Sequence, residues 1–415
     1  MHQDNDVVII GGGILGTSMA LSLSSLGIKT TIFEKKDFVD LKKSKQNGRC
    51  YALSSSTYNF FSSINVTSSL DGFLHGMKNI LVYQSFLKNI PSSPILNFDS
   101  DNHDTEYLGY VIEDEYLRSP LLDACEADPN ITIISARLKN IKQSKNACST
   151  LTFHCGRVQK TPLVIGADGA FSMIKREMFP KSFDVNYHQT AFAGHVLHSF
   201  SNKNVAHEYF FSSGALAILP LGEHRSSYVL VVPEKHSHAL SALKTEKFTQ
   251  VLQEYFGNFL GKISMDSPAL HFPLRSSLAK KMVLPNVALV GDAARSIHPI
   301  AGQGLNYGIR DVAALSETLF NGMRRGKQLG DISDLEKYER WRRFDSAAIT
   351  AITGFLPKIF ELPLPGARFA TLAGMSLIKK TPLLNHCIAE YATGTCYGEI
   401  PLKLQRKKHE SAETA

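Results

Sequence analysis

The chain opens with a short apolar run, Asp6–Ile10, that meets Gly11-Gly12-Gly13-Ile14-Leu15-Gly16 without an intervening polar residue. Such a run, bounded by glycines, has the pattern of a strand. From Thr17 to Leu26 the apolar positions change rhythm: Met19, Ala20, Leu23 and Leu26 follow helical spacing. Gly27 stands where a helix C-cap is expected. Lys29–Phe33 is apolar enough for a second strand and closes with Glu34. Together these segments make a complete β-α-β unit.

Further along the pattern is mixed. The stretch from Leu41 to Ser56 is polar and reads as a loop running into a helix, with Ser54–Ser56 as N-cap candidates. Residues 77–103 read as irregular strands with turns, Val111–Leu122 as a helix and Asn130–Ser135 as a strand. Thr161 to Gly169 is a strand entering a tight Asp-Gly turn. Between 186 and 273 the chain becomes β-rich. Ala191–Leu197, Glu208–Phe211, Leu216–Leu219 and Ser227–Val232 are strand-like and are separated by Gly, Pro and Ser. Val287–Val290 is a buried-strand pattern ending in Gly291-Asp292. A long helix containing Ala313, Ala314, Leu315 and Leu319 follows, then a second over about 334–352.

The glycines of the first unit have separate tasks. Gly11 allows the tight turn, Gly13 lets the backbone approach a pyrophosphate, and Gly16 lets helix and strand pack closely. The helix N-terminus adds free N–H groups and a partial positive charge. Glu34 lies 18 residues beyond Gly16, close to the spacing of an acid that accepts a hydrogen bond from a ribose hydroxyl. Strand, helix, second strand and terminal acid agree, so the segment is expected to bind a dinucleotide.

Composition narrows the class. With 415 residues, 43% hydrophobic and 20% charged, the chain is globular and long enough for two interleaved domains. The net charge of +7 is scattered except for a cluster at Lys403, Arg406, Lys407 and Lys408. No nucleic-acid module is recognisable, so no nucleic-acid partner is expected. Cys50, Cys125, Cys148, Cys155, Cys387 and Cys396 form no CxxC pair, which predicts reduced thiols, no zinc site and no metal. The N-terminus lacks a signal-peptide pattern, and no uncharged apolar run reaches the roughly 18–20 residues of a spanning helix. A cytoplasmic location is expected, with any membrane contact peripheral, on the inner face.

Three distant motifs make sense together: the glycine loop at 11–16, Gly166-Ala167-Asp168-Gly169, and Gly291-Asp292 followed by Ala301-Gly302-Gln303-Gly304-Leu305-Asn306. With them the chain resembles the FAD-dependent aromatic hydroxylases of the para-hydroxybenzoate hydroxylase type, and among these the ubiquinone-biosynthesis ring hydroxylases. Gly291 to Asp311 is the most specific stretch. The resemblance implies an α/β fold: a Rossmann-like FAD-binding domain (1–72, 104–185 and 285–352), an inserted mixed β-sheet substrate domain (73–103 and 186–284), and a C-terminal helical region (353–415). It implies FAD as cofactor and NAD(P)H as a transient co-substrate, with an aromatic small molecule and O2 as the other reactants.

The resemblance also distributes roles. Gly11, Gly13, Gly16, Glu34, Arg49, Arg118, Asp168, Gly291, Asp292, Gly302, Gln303, Gly304, Leu305 and Asn306 are the expected FAD-binding residues. Asp292 is suited to accept hydrogen bonds from ribityl hydroxyls. The helix opened by Gly302–Asn306 points its positive end at the N1–C2=O edge of the flavin, where charge develops on reduction. His298 and Pro299 are expected to frame the reactive edge with Arg49 nearby. The chain departs from the family at Arg295, where histidine is frequent, at Lys175, where arginine is usual, and in the run Glu113-Asp114-Glu115-Tyr116-Leu117-Arg118, where Arg118 replaces glutamine. These departures bear on NAD(P)H handling more than on FAD.

For the substrate wall the sequence offers Phe192, His195, Phe210, Phe211, Leu216, Ile218 and Pro220. A polyprenylated phenol would be drawn from a bilayer, and Phe355–Leu364 with the basic tail would then be membrane-facing candidates. Oligomeric state is not legible. The alternatives are a prenyl-chain reductase, an epoxidase, and a flavin-bearing scaffold subunit of a quinone-biosynthesis complex. A flavin halogenase is excluded, since its two-tryptophan motif cannot be built from Trp341 alone.

Overall fold

The computed structural model describes residues 7–43, 48–85, 93–103, 105–143, 148–211, 214–297 and 302–343. The expected C-terminal helical region, the Phe355–Leu364 segment and the basic tail lie outside the described residues.

One half is built on a six-stranded sheet. Its order is Val283–Leu284, Val287–Leu289, Leu163–Gly166, Val7–Ile10, Thr30–Glu34 and Ile131–Ser135. All pairs are parallel except the edge pair Val283–Leu284 with Val287–Leu289. Val7, Val8, Ile9, Leu163, Val164 and Ile165 are wholly buried, because helices cover both faces of a parallel sheet. The helix Ile14–Ser24 buries ten of its eleven residues, so it is a core element with no solvent face.

The other half is a nine-stranded sheet. Its spine is the long strand Ser182–His198, paired antiparallel on one side with Arg225–Pro233 and on the other with Leu270–Ala279. Gly214–Pro220 and Val205–Phe211 extend it, and Asn79–Ser85 adds in parallel. The two faces differ in side-chain size. One carries Tyr83, Phe192, Tyr209, Phe211, Leu216, Ile218, Tyr228, Leu230 and Val232, packed on the helix Thr245–Phe256 through Phe248, Leu252 and Phe256. The opposite face carries Ala193, Ala206, Ala217 and Val229 and is turned toward the first half.

Two expectations change. The segment expected to be a helix from Val111 begins as a strand, Gly109–Glu113, and turns helical only at Asp114–Ala127. Val111 and Ile112 favour a pleated strand, and pairing with Cys50–Ser54 and His75–Met77 fixes it. The polar stretch before Ser55 is not loop throughout: Phe38–Lys43 is helical and Cys50–Ser54 is a strand. Ser54 does cap the helix Ser55–Ser63, its hydroxyl accepting from the Thr57 amide at 3.3 Å.

Candidate active site

A cavity of about 1900 Å3 opens between the two sheets. Ligand pockets are typically about 300–1,000 Å3, so this one has room for more than one bound molecule. Its first wall is made of backbone. Gly13 lines it, and a Cβ added there would meet no atom within 4 Å. Gly13 is also the N-cap of Ile14–Ser24 and brings no side-chain capping bond, so the amides of the first turn point at open space.

Two neighbouring glycines are structural necessities. Gly11 has φ +109°, and a Cβ there would lie 2.5 Å from the Ala167 carbonyl oxygen. At Gly16 a Cβ would lie 1.8 Å from the Gly11 carbonyl oxygen. Glu34 ends its strand beside this loop. Its carboxylate accepts from the Gly12 amide at 2.8 Å and the Lys36 amide at 3.1 Å.

The opposite lip is the start of the helix Gly304–Arg324. Gly302, Gln303, Gly304, Leu305 and Asn306 all line the cavity, and Gln303 caps the helix without a side-chain bond. Gly302 has φ +61°. Asn306 is buried and ties this lip to the strand Cys50–Ser54. Its Nδ2 donates to the Ala52 carbonyl at 3.0 Å, and its Oδ1 accepts from the Ser54 amide at 3.0 Å.

Asp292 lines the cavity in the turn Gly291–Ala293. Burial pushes its carboxyl up, opposed by the charges of Arg49 and Arg295. Gly291 packs its bare Cα against Leu15, whose Cδ1 is 2.0 Å from the place of a Cβ. Beneath the turn lies a buried network. Asp311 accepts from the Gly291 amide at 3.0 Å, from Arg295 at 2.8 Å and from Arg342 at 2.7 Å. The departure at Arg295 thus has a structural role: it is a charge partner of Asp311 under the cavity floor.

Arg49 is surrounded by protein yet keeps an accessible surface, because that surface faces the cavity. Its guanidinium lies 5.1 Å from the centroid of the Tyr51 ring. Its pKa is raised, first by the Tyr51 phenol and then by Asp114 and Asp292, against the opposing effect of burial. Asp114 accepts from the Tyr51 hydroxyl at 2.8 Å and from Arg118 Nε at 2.8 Å. Arg118 therefore lines the cavity as an ordered cation. Asp168 sits just behind the wall formed by Ala167 and Gly169 and accepts from the Met173 amide at 2.6 Å. Burial raises its pKa, with the Ser172 hydroxyl and the Met173 amide working against the rise. Lys175 is buried and donates to Ser277, which donates to Asp184 in the cavity wall. His298 and Pro299 lie outside the described residues. No cluster suited to a metal occurs among the described residues.

The second wall is the opposite face of the large sheet: Ile80, Val82, Leu96, Phe98, Ala193, Ala206, Phe210, Ala217, Leu219 and Val229, with Glu208 and Ser227 as polar members. Of the seven residues expected in this wall only Phe210 lines it. Phe192, Phe211, Leu216 and Ile218 point to the other face, into the core against Thr245–Phe256. Pro220 pairs with Ser226 at the end of its strand. His195 is on the cavity side but turned to Cys50, with its Nε2 3.2 Å from the sulfur. Its Nδ1 is 3.0 Å from Arg225, which forms a two-point bridge to Glu113 at 2.5 and 3.1 Å. Burial lowers the His195 pKa, so the ring is neutral, accepting at Nδ1 and donating from Nε2. Sequence reasoning missed this bridge and the Asp311 network, because each joins residues from separate elements.

These features fit FAD: two uncapped helix N-termini face one cavity, an open backbone cradle stands at Gly13, and a carboxyl and two arginines line the space between. Residues 4–351 match the model of the FAD binding domain family. The chain belongs to that family. This flavoprotein is 30% identical over 403 residues to the ubiquinone hydroxylase UbiL of Rhodospirillum rubrum, covering 97% of this chain and 92% of that protein. It is 26% identical to the 3-demethoxyubiquinol 3-hydroxylase of Escherichia coli, covering 95% and 99%. The p-nitrophenol 4-monooxygenase PnpA of Pseudomonas putida has the same fold, with a TM-score of 0.74 at 18% identity over 95% of this chain and 99% of that one. The flavoprotein is an FAD-dependent monooxygenase, with NAD(P)H and O2 as co-substrates. No helix among the described residues is long and apolar enough to cross a membrane.

Proposed function

We propose that this monooxygenase hydroxylates the ring of a phenol or quinol that carries a long apolar chain, as an intermediate of ubiquinone biosynthesis does. The observation that carries this reading is the continuity of the cavity. Its backbone-built wall shares one cavity with a mainly apolar sheet face, kept low by Ala193, Ala206 and Ala217 and carrying Glu208 among them. The names of the two curated relatives support the same substrate class.

Bound FAD supplies the redox chemistry, taking a hydride from NAD(P)H and activating O2, one atom of which enters the ring while the other leaves as water. The chain holds and orients the reactants. Gly13 and the first helix N-terminus would hold the pyrophosphate on a loop shaped by Gly11 and Gly16, and Glu34 would accept from a ribose hydroxyl. Arg118 and Asp168 order the region around the phosphates. Asp292, above Gly291, accepts from the ribityl chain. Gly302, Gln303, Gly304, Leu305 and Asn306 present helix amides to the pyrimidine edge of the ring system, stabilising negative charge there. Arg49, which faces the cavity, borders the reacting edge. The apolar sheet face excludes water from the reacting atoms. The sheet half (73–103 and 186–284) is the substrate domain in this reading. The remaining residues up to 352 form the FAD domain.

The test is anaerobic reduction of the purified flavoprotein by NADPH or NADH, with and without a polyprenyl phenol, followed by admission of O2. Faster reduction in the presence of the phenol, and a hydroxylated ring after oxygen, is the expected result. Reduction that ignores the phenol and yields no product would sink the hydroxylase reading in favour of a reductase or a scaffold subunit.

A further inference from the structure

The small-residue face of the large sheet does not stop at the cavity. Pairing fixes which side chains share a face, because residues directly opposite on antiparallel strands point the same way. Ala193 pairs with both Val229 and Leu270, and Ala191 pairs with Phe272. The same face passes Leu274 and Ser276, which pairs with Val185, and then reaches Phe183, opposite Leu278. The row Leu270, Phe272, Val185, Phe183 is thus the outward continuation of the cavity floor. Leu270, Phe272 and Val185 themselves line the cavity.

These side chains are exposed: Leu270 41%, Phe272 42%, Val185 40% and Phe183 60%. Phe171 also lines the cavity, in the turn after Asp168-Gly169, and is 96% exposed. Leaving Phe171 and Phe272 in water at the cavity mouth, and Phe183 farther along the same row, is costly and marks a surface that meets an apolar partner. The cations beside it say which one. Lys181, Lys280 and Lys281 are exposed where the two strands end, with the Lys280 ammonium 4.9 Å from the centroid of the Phe183 ring. The carboxylate between Phe183 and Val185 in sequence, Asp184, is held by Ser182, Ser277 and the buried Lys175. Exposed phenyl rings bordered by lysines match the boundary between acyl chains and anionic headgroups.

We propose that this rim docks on the surface of an anionic lipid bilayer, so that a lipid-borne substrate passes from the acyl layer along the apolar face into the cavity. The proposal rests on the hydroxylase reading for its substrate. The two fail separately.

The experiment uses the full-length, FAD-loaded protein and vesicles of phosphatidylcholine alone or with phosphatidylglycerol. Two activity arms run beside it: a short water-soluble phenol, and a polyprenyl phenol dissolved in the vesicles. The wild type should co-sediment with the anionic vesicles. The Phe183→Asp/Lys280→Glu/Lys281→Glu variant should bind them roughly tenfold or more weakly. It should also lose a similar factor with the vesicle-borne phenol while keeping its turnover of the soluble one. Phe183→Trp, which keeps the aromatic volume, should bind like the wild type. Its added indole emission should shift to the blue on anionic vesicles.

Wild type that ignores anionic vesicles, or a triple variant that binds them equally, overturns the docking surface. So does a rim whose substitution instead abolishes association with a partner protein. Loss of soluble-phenol turnover in the wild type would sink the hydroxylase reading and leave vesicle binding to stand or fall by itself.

Discussion

The two walls of the cavity solve opposite problems. The wall on the parallel-sheet side presents polar groups, and it is built from backbone: Gly13, Gly302, Gly304 and two helix N-termini, with Arg49, Arg118 and Asp292 beside them. The wall on the large-sheet side must receive apolar mass, and it is built from the alternation of side chains along strands. Leu216 and Ala217 are neighbours in sequence, yet one is core and the other is cavity floor. A one-residue slip in register would exchange these functions, whereas no slip would move an amide at Gly13.

Substitutions can separate the walls. The largest effect is expected at Asp311, which is wholly buried and holds Arg295, Arg342 and the Gly291 amide. Asp311→Ala leaves two buried cations without their carboxylate, and should lower stability by about 3–5 kcal/mol in denaturant titration. Leu216→Ala, on the core face, should cost about 2–5 kcal/mol in the same titration and leave FAD affinity nearly unchanged. A result showing FAD loss in step with stability would argue that the walls do not fold independently of each other's ligands.

His207 offers a pH-dependent version. Burial pushes its pKa from the ordinary 6.5 down to about 4. The unfolded chain therefore takes up the proton first, and stability is lost as pH falls from 6.5 toward 4. His207→Phe should flatten this acid branch, a difference of up to about 3 kcal/mol near pH 4. Equal acid branches in the two proteins would show that His207 does not govern this range.

Gly16→Ala sharpens the other side. The new methyl meets the Gly11 carbonyl, and an overpacking cost of about 1–3 kcal/mol should appear mainly as weaker FAD binding, roughly 10- to 100-fold by titration. The smallest stability effect is expected from Ala217→Leu, because the added atoms enter the open cavity and not a packed core. Its signature is kinetic: a raised KM for a long-chain phenol, with little change for a short one.

The legibility of the two walls in the sequence follows the same division. The turn at Gly11, the close packing at Gly16 and the strand end at Glu34 follow from short-range order, so a single window of sequence makes the β-α-β unit legible. The strand Val287–Leu289 and the helix start at Gly304 were legible for that reason as well. The floor of the large sheet was not. Phe192, Leu216 and Ile218 are bulky and apolar, which fits either face, and only pairing decides between them. The strand Gly109–Glu113 was hidden because its partners lie at 50–54 and 75–77. Asp311 stood at the end of the signature stretch, but its role depends on Arg295 and on Arg342 from another helix. The bridge that joins Arg225, Glu113, His195 and Cys50 leaves no local trace, because its members come from separate elements.

That last group has a consequence for protein engineering. Arg225 on the large sheet grips Glu113 beside the flavin half with two hydrogen bonds, and through His195 it reaches Cys50, next to Arg49. The halves therefore are not interchangeable cassettes. A chimaera that grafts strands 182–233 onto another member of the family inherits a guanidinium and an imidazole fitted to a carboxylate and a thiol on the recipient. Where the recipient lacks them, the graft brings unmatched polar groups to the seam, and the productive unit of exchange is the sheet together with residues 50 and 113.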